Sequence, residues 1–143
     1  MNRKKRILLV DDEPVVLAVS AKMLAHLGYD VDTHSDGMGA LSSFDRDPGR
    51  VDLLITDLWM PRITGHELAG KLAAIRPELP IIFCSGYGES DGSSTRGPAD
   101  VRAVLMKPIR LKELEAAVRN VLEEGPVSGP AHTTAGLPQP PWR

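Results

Sequence analysis

A single cysteine, Cys84, stands among 143 residues, which excludes an intramolecular disulfide and any Cys-rich zinc site. No apolar stretch approaches the roughly 20 residues of a membrane span, and no hydrophobic signal region follows the basic start. An excess of charge of one sign is also missing: 17 Lys+Arg face 19 Asp+Glu, a formal net charge of −2. Binding nucleic acid by bulk charge needs clustered Lys/Arg to neutralise phosphates, so the balance argues against it. The one basic cluster, Arg3-Lys4-Lys5-Arg6, immediately precedes an apolar run and reads as the solvated start of a strand. His26, His34, His66 and His132 show no metal-ligand spacing. There is no Gly-rich phosphate loop of the GxxxxGKS type, and FCSGY lacks the first glycine of a nucleophile elbow. No internal repeat is present. These absences leave a soluble, cytoplasmic protein whose length suits one domain, burying roughly two-thirds of its unfolded surface.

What is present is alternation. Residues 125–143 hold three Gly and five Pro with Arg143 as the only charged side chain, and read as a flexible tail. The folded body is residues 1–124, with its first strand entered near Lys5. Ile7–Val10 is a continuous apolar run, as expected of a strand covered on both faces. Pro14 opens a helix carrying Val16, Val19, Met23 and Leu27, which Gly28 stops. Tyr29–His34 reads as a second strand, and Asp36 as the N-cap of a helix through Ala40, Leu41 and Phe44. Leu53–Ile55, ending at Asp57, is the third strand; Leu68, Leu72 and Ile75 mark the next helix. Pro80–Cys84 and Ala103–Met106 are the fourth and fifth strands, and Leu111–Leu122 the last helix. Five strand–helix alternations imply an α/β fold, a parallel sheet with helices on both faces. Between the fourth and fifth strands, residues 86–100 hold four Gly, three Ser and a Pro, so the fourth helix should be short or disordered.

In an open parallel sheet, ligands bind beyond the carboxyl ends of the strands, where strand order reverses. Here those ends carry Asp11-Asp12-Glu13, Asp57, Ser85 and Lys107. Taken singly, each has a plain alternative: paired acids start helices, Asp57 and Ser85 sit before turns, and lysines are usually solvated. Taken together they converge on one rim. Clustered carboxylates repel unless a hard cation joins them, and Mg²⁺ prefers a few carboxylate oxygens plus waters. A remaining carboxylate can attack a phosphoryl group whose charge the metal neutralises. Lys107 and Ser85 supply an ammonium and a hydroxyl for its oxygens.

LLVDDE, LLITDLWMPRITG, FCSG and LMKP stand at intervals that resemble a response-regulator receiver domain of two-component signalling, from Ile7 to about Glu123. The resemblance implies a flavodoxin-like, doubly wound five-stranded sheet of order 2-1-3-4-5. It implies that Asp57 is the phosphoacceptor, Asp12 a direct Mg²⁺ ligand and Asp11 a ligand through water. The backbone carbonyl of Trp59 completes the metal set, Ser85 and Lys107 hold the phosphoryl group, and the Lys107–Pro108 peptide is cis. The implied partners are a histidine kinase or histidine phosphotransfer domain and an unidentified downstream protein, with no direct role for nucleic acid or membrane. Such a domain catalyses only its own phosphorylation and dephosphorylation and is not a metabolic enzyme.

RPELPIIFCSGY further resembles receivers of hybrid histidine kinases, and with no kinase or DNA-binding segment in the sequence a receiver without an output domain is expected. Two departures from the family pattern carry expectations of their own. Val104 stands where relatives have an aromatic residue, so the signal is expected to travel through Ser85 and an ordering of residues 87–99. Trp59 and Tyr87, both large, stand where relatives line the path of the hydrolytic water, and should slow loss of the phosphoryl group. The rival readings are a degenerate receiver that docks without phosphorylation, and a Mg²⁺-dependent phosphatase with an aspartyl nucleophile. Trp59 occupies the place where such phosphatases carry a second acid. Cys84, inside an apolar strand, is expected to be a buried small hydrophobe.

Overall fold

A computed structural model describes residues 4–86 and 99–124. The expected helix between the fourth and fifth strands, Tyr87, His132 and the tail at 125–143 lie outside the described residues. The elements run β1 (Arg6–Val10), α1 (Pro14–His26), β2 (Asp30–His34), α2 (Gly37–Arg46), a 3-10 turn (Pro48–Arg50) and β3 (Leu53–Asp57). They continue through α3 (Gly65–Ile75), β4 (Pro80–Ser85), β5 (Asp100–Met106) and α4 (Leu111–Glu124). The five strands form one parallel sheet in the order β2-β1-β3-β4-β5, as the family resemblance implied.

Side chains of a strand alternate between the two faces of its sheet, so one apolar run feeds two cores. Leu8 and Val10 pack with Phe44, Leu54, Leu68, Leu72 and Phe83 beneath α2 and α3. Ile7 and Leu9 pack with Leu24, Leu53, Ile55, Ile82 and Val118 beneath α1 and α4. That is why the strands read as continuous rather than alternating apolar runs.

Local signals set the helix ends. Pro14 occupies the first turn of α1, and Gly28, at φ 101°, turns the chain into β2 where a side chain would be strained. Asp36 caps α2 by accepting the Gly39 N–H at 2.6 Å, as expected of an N-cap. The α3 cap was not anticipated: Thr64 accepts the Glu67 N–H while Glu67 accepts the Thr64 N–H, a capping box readable as T-x-x-E. Strand β5 begins at Asp100, three residues before the apolar run, because backbone pairing with Pro80 and Ile81 extends it across a register shift in which Arg102 of β5 is skipped. No helix among the described residues is long and apolar enough to cross a membrane.

Candidate functional site

Strand order reverses at the β1/β3 boundary, because β2 lies on one side of β1 and β3–β4–β5 on the other. The registers bring the carboxyl ends level: Val10 pairs with Thr56, Asp57 with Cys84, and Ser85 with Met106. The residues just past those pairs are therefore delivered to one crevice. Asp11, Asp12 and Asp57 each place a carboxylate oxygen there, all within 4.8 Å of one another.

The crevice is largely closed to solvent. Asp11, Asp57 and Ser85 are buried, and Asp12 is half-buried. Like charges so close and so dry require a counter-charge, and Lys107 provides it. Its Nζ lies 3.0 Å from Asp11 Oδ2 and 3.3 Å from Asp57 Oδ2. Burial works against the ammonium, but the hydrogen bond to Asp11 and the charges of Asp11 and Asp57 outweigh it and hold Lys107 above its ordinary pKa. The pocket is thus a carboxylate cluster already occupied by one fixed cation.

Backbone hydrogen bonds hold these groups in place. Lys107 N–H donates to Ser85 O at 2.8 Å, tying the end of β5 to that of β4, and the Lys107–Pro108 peptide is cis. Asp11 N–H donates to His34 O at 3.2 Å, and Asp11 Oδ1 accepts the Glu13 N–H at 2.9 Å. Thr56, fully buried, donates its hydroxyl to Asp57 O. Gly65 N–H donates to Leu58 O at 2.8 Å, so α3 starts directly against the strand that carries Asp57.

Of the residues singled out from sequence, Asp11, Asp12, Asp57 and Lys107 are brought together, and Ser85 ends the neighbouring strand. Trp59 is 41% exposed in the loop after β3. Cys84 is buried, and burial pushes its thiol up to about 12, which leaves it inert as a nucleophile. Val104 is buried opposite Phe83, against which His66 packs edge-on at 4.9 Å. Glu13 was read only as the last acid of DDE; its Oε1 lies 3.5 Å from Lys107 Nζ. The third acid of that run was its signal.

A doubly wound parallel sheet of order β2-β1-β3-β4-β5 defines the flavodoxin-like class of α/β proteins, and its switch point here holds an acidic, lysine-bearing pocket. Within that class the chain belongs to the response regulator receiver domain family, whose profile matches residues 7–119. It is similar to the sensor kinase CckA of Brucella abortus, at 35% identity over 82% of this chain and 12% of the kinase. It is also similar to the transcriptional regulatory protein TcrA of Mycobacterium tuberculosis, at 32% identity over 92% of this chain and 51% of that protein. The chain thus spans about half the length, or less, of these curated relatives.

Among solved structures, the receiver domain of a hybrid histidine kinase CckA superposes with a TM-score of 0.68 at 35% identity, covering 80% of this chain and 96% of that one. The response regulator TrrA of Thermotoga maritima, in complex with Mg²⁺ and BeF, superposes with a TM-score of 0.71 at 34% identity, covering 81% and 97%. The chain is a receiver domain of two-component signalling, homologous to the CckA receiver.

Proposed function

We propose that this receiver is a phosphorylation switch in which Asp57 takes a phosphoryl group from a phosphohistidine donor and thereby changes which downstream protein it binds. The observation that carries the reading is the convergence of three carboxylates and the Lys107 ammonium at the carboxyl ends of β1, β3 and β5. Mg²⁺ fits this donor set, being a hard cation that takes a few carboxylate oxygens. Asp11, Asp12, Asp57 and the Trp59 carbonyl would hold it. Once bound, it supplies charge neutralisation at the transferred phosphoryl group.

The chain's own residues do the rest. An Asp57 carboxylate oxygen attacks phosphorus, the bond from phosphorus to the imidazole nitrogen breaks, and an acyl phosphate forms. Lys107 moves from the carboxylates to the new phosphoryl oxygens, and the Ser85 hydroxyl donates to them. The donor's approach is supported by the face beside the pocket. Val15 and Val19, one turn apart on α1, are exposed, and with Met23, Pro108 and Ile109 they line a groove of about 380 Å³. Glu13 and Lys107 also line it, so an amphipathic helix seated there would carry its phosphohistidine to Asp57.

Incubation with acetyl phosphate and Mg²⁺, followed by intact mass, tests the chemistry. A single phosphoryl adduct is expected, absent from Asp57→Asn. No adduct, under conditions where a related receiver reacts, would favour a module that docks without phosphorylation. Trp59 and Tyr87 are proposed to restrict the water that hydrolyses the acyl phosphate. Replacing both by Ala should shorten the adduct's lifetime, and an unchanged lifetime removes them from that role.

A further inference from the structure

We infer that Glu13 is a positioning residue that takes over the Lys107 ammonium when a divalent cation enters the acidic pocket, and so helps set how readily the cation binds. This rests on the metal-dependent reading above. Lys107 Nζ stands among three carboxylates: Asp11 Oδ2 at 3.0 Å, Asp57 Oδ2 at 3.3 Å and Glu13 Oε1 at 3.5 Å. The first two side chains are 7% and 4% exposed, whereas that of Glu13 is 64% exposed. The ammonium therefore neutralises two inner oxygens while touching one outer one.

Those inner oxygens belong to the same carboxylates that would hold the cation. An ammonium in contact with both would lie a few ångströms from a divalent ion, where like charges repel strongly in a pocket this dry. Lys107 must therefore give up at least part of its inner contact. Its side chain is only 15% exposed, so withdrawal to open water is not the nearest alternative. Glu13 is. Its backbone is fixed at the N-cap of α1, ahead of Pro14, with its N–H donating to Asp11 Oδ1 at 2.9 Å. A short pivot of Nζ from Asp11 Oδ2 towards Glu13 Oε1 frees the inner oxygen while the ammonium stays paired. Asp11 itself stays oriented, because the Glu13 N–H continues to hold its other oxygen.

The test is a thermodynamic cycle on the full chain, with Mg²⁺ binding read by calorimetry in wild type, Glu13→Gln, Lys107→Met and the double variant. Glu13→Gln is expected to weaken binding roughly two- to fivefold, the size of effect that a partly exposed ion pair supports. Lys107→Met should tighten binding, and Glu13→Gln on that background should change nothing further. An equal weakening on both backgrounds overturns the proposal, since Glu13 would then act on the cation directly; so does no weakening on the wild-type background. If Lys107→Met fails to fold without metal, reductive methylation of Lys107 in wild type and Glu13→Gln replaces it. Mg²⁺ should speed that labelling by a larger factor in Glu13→Gln, and equal factors overturn the proposal. Absence of Mg²⁺ binding by the wild-type chain overturns the metal-dependent reading itself, whereas binding that ignores Glu13 overturns only this role.

Discussion

Two glycines of one helix show how differently a single methyl group is received. A Cβ on Gly65 would lie 2.3 Å from the Asp57 carbonyl oxygen and 3.0 Å from Leu58 Cα, both backbone atoms that cannot rotate away. A Cβ on Gly70, in the middle of α3, meets nothing within 4 Å. Gly65→Ala should therefore destabilise by about 1–3 kcal/mol, as overpacking does. Because α3 would be pushed off the strand bearing Asp57, it should also slow adduct formation with acetyl phosphate. Gly70→Ala should stabilise by about 0.5–1 kcal/mol through helix propensity and leave the adduct rate unchanged. Urea unfolding of the two variants checks both signs. At this scale the site's residue types were legible, since Asp57 and Ser85 end strands and Asp11, Asp12 and Lys107 stand just past strand ends. The third anchor of the Lys107 ammonium was not, because a 3.5 Å contact between Glu13 and Lys107 spans 94 positions of sequence.

Helix α1 has an outer surface that its own fold leaves open, with Val15 75% and Val19 48% exposed. Its inner face meets the core through Leu24, with Leu17 and Ala21 beside it, so these outer valines contribute little to stability. Replacing both by Glu should leave the unfolding midpoint nearly unchanged, as exposed substitutions do. Transfer from a phosphohistidine domain should drop about tenfold or more if the groove seats it, the loss expected from charging the apolar centre of a small interface. Labelling by acetyl phosphate, which needs no docking face, should be spared. Equal loss with both donors would mean the helix itself had been damaged, and loss with neither would remove the groove from the donor's path. Periodicity located α1 but not its buried face: the stripe read through Val16, Val19, Met23 and Leu27 includes the exposed Val19, whereas Leu24 is the buried residue. Helix α2 was readable from its Asp36 cap. The start of β5 was not: Asp100 and Arg102 flank a lone Val101, too short an apolar signal to read, and pairing with β4 makes them strand.

For the whole molecule, a cation taken by the pocket, as proposed, would couple its binding to folding. Three carboxylates within 4.8 Å exist as a cluster only when β1 and β3 are side by side. A cation that binds this arrangement and not the unfolded chain stabilises the fold by mass action, about 1.4 kcal/mol at tenfold excess over its Kd. The thermal midpoint should rise with Mg²⁺ concentration and fall back on chelation. In Asp57→Asn the rise should be smaller, because one carboxylate of the cluster is gone. A midpoint indifferent to Mg²⁺ would separate the pocket from metal altogether.

What the order of residues determined alone is the list of elements, their parallel arrangement and the chemical character of each strand end. Apolar periodicity, capping residues and the Gly/Pro stops are local properties that survive without the fold. Strand order, the level registers and the distances among Asp11, Asp57, Glu13 and Lys107 were decided by tertiary structure. They depend on which runs of backbone pair and how two apolar faces close around one sheet, and those are contacts between residues far apart in the chain.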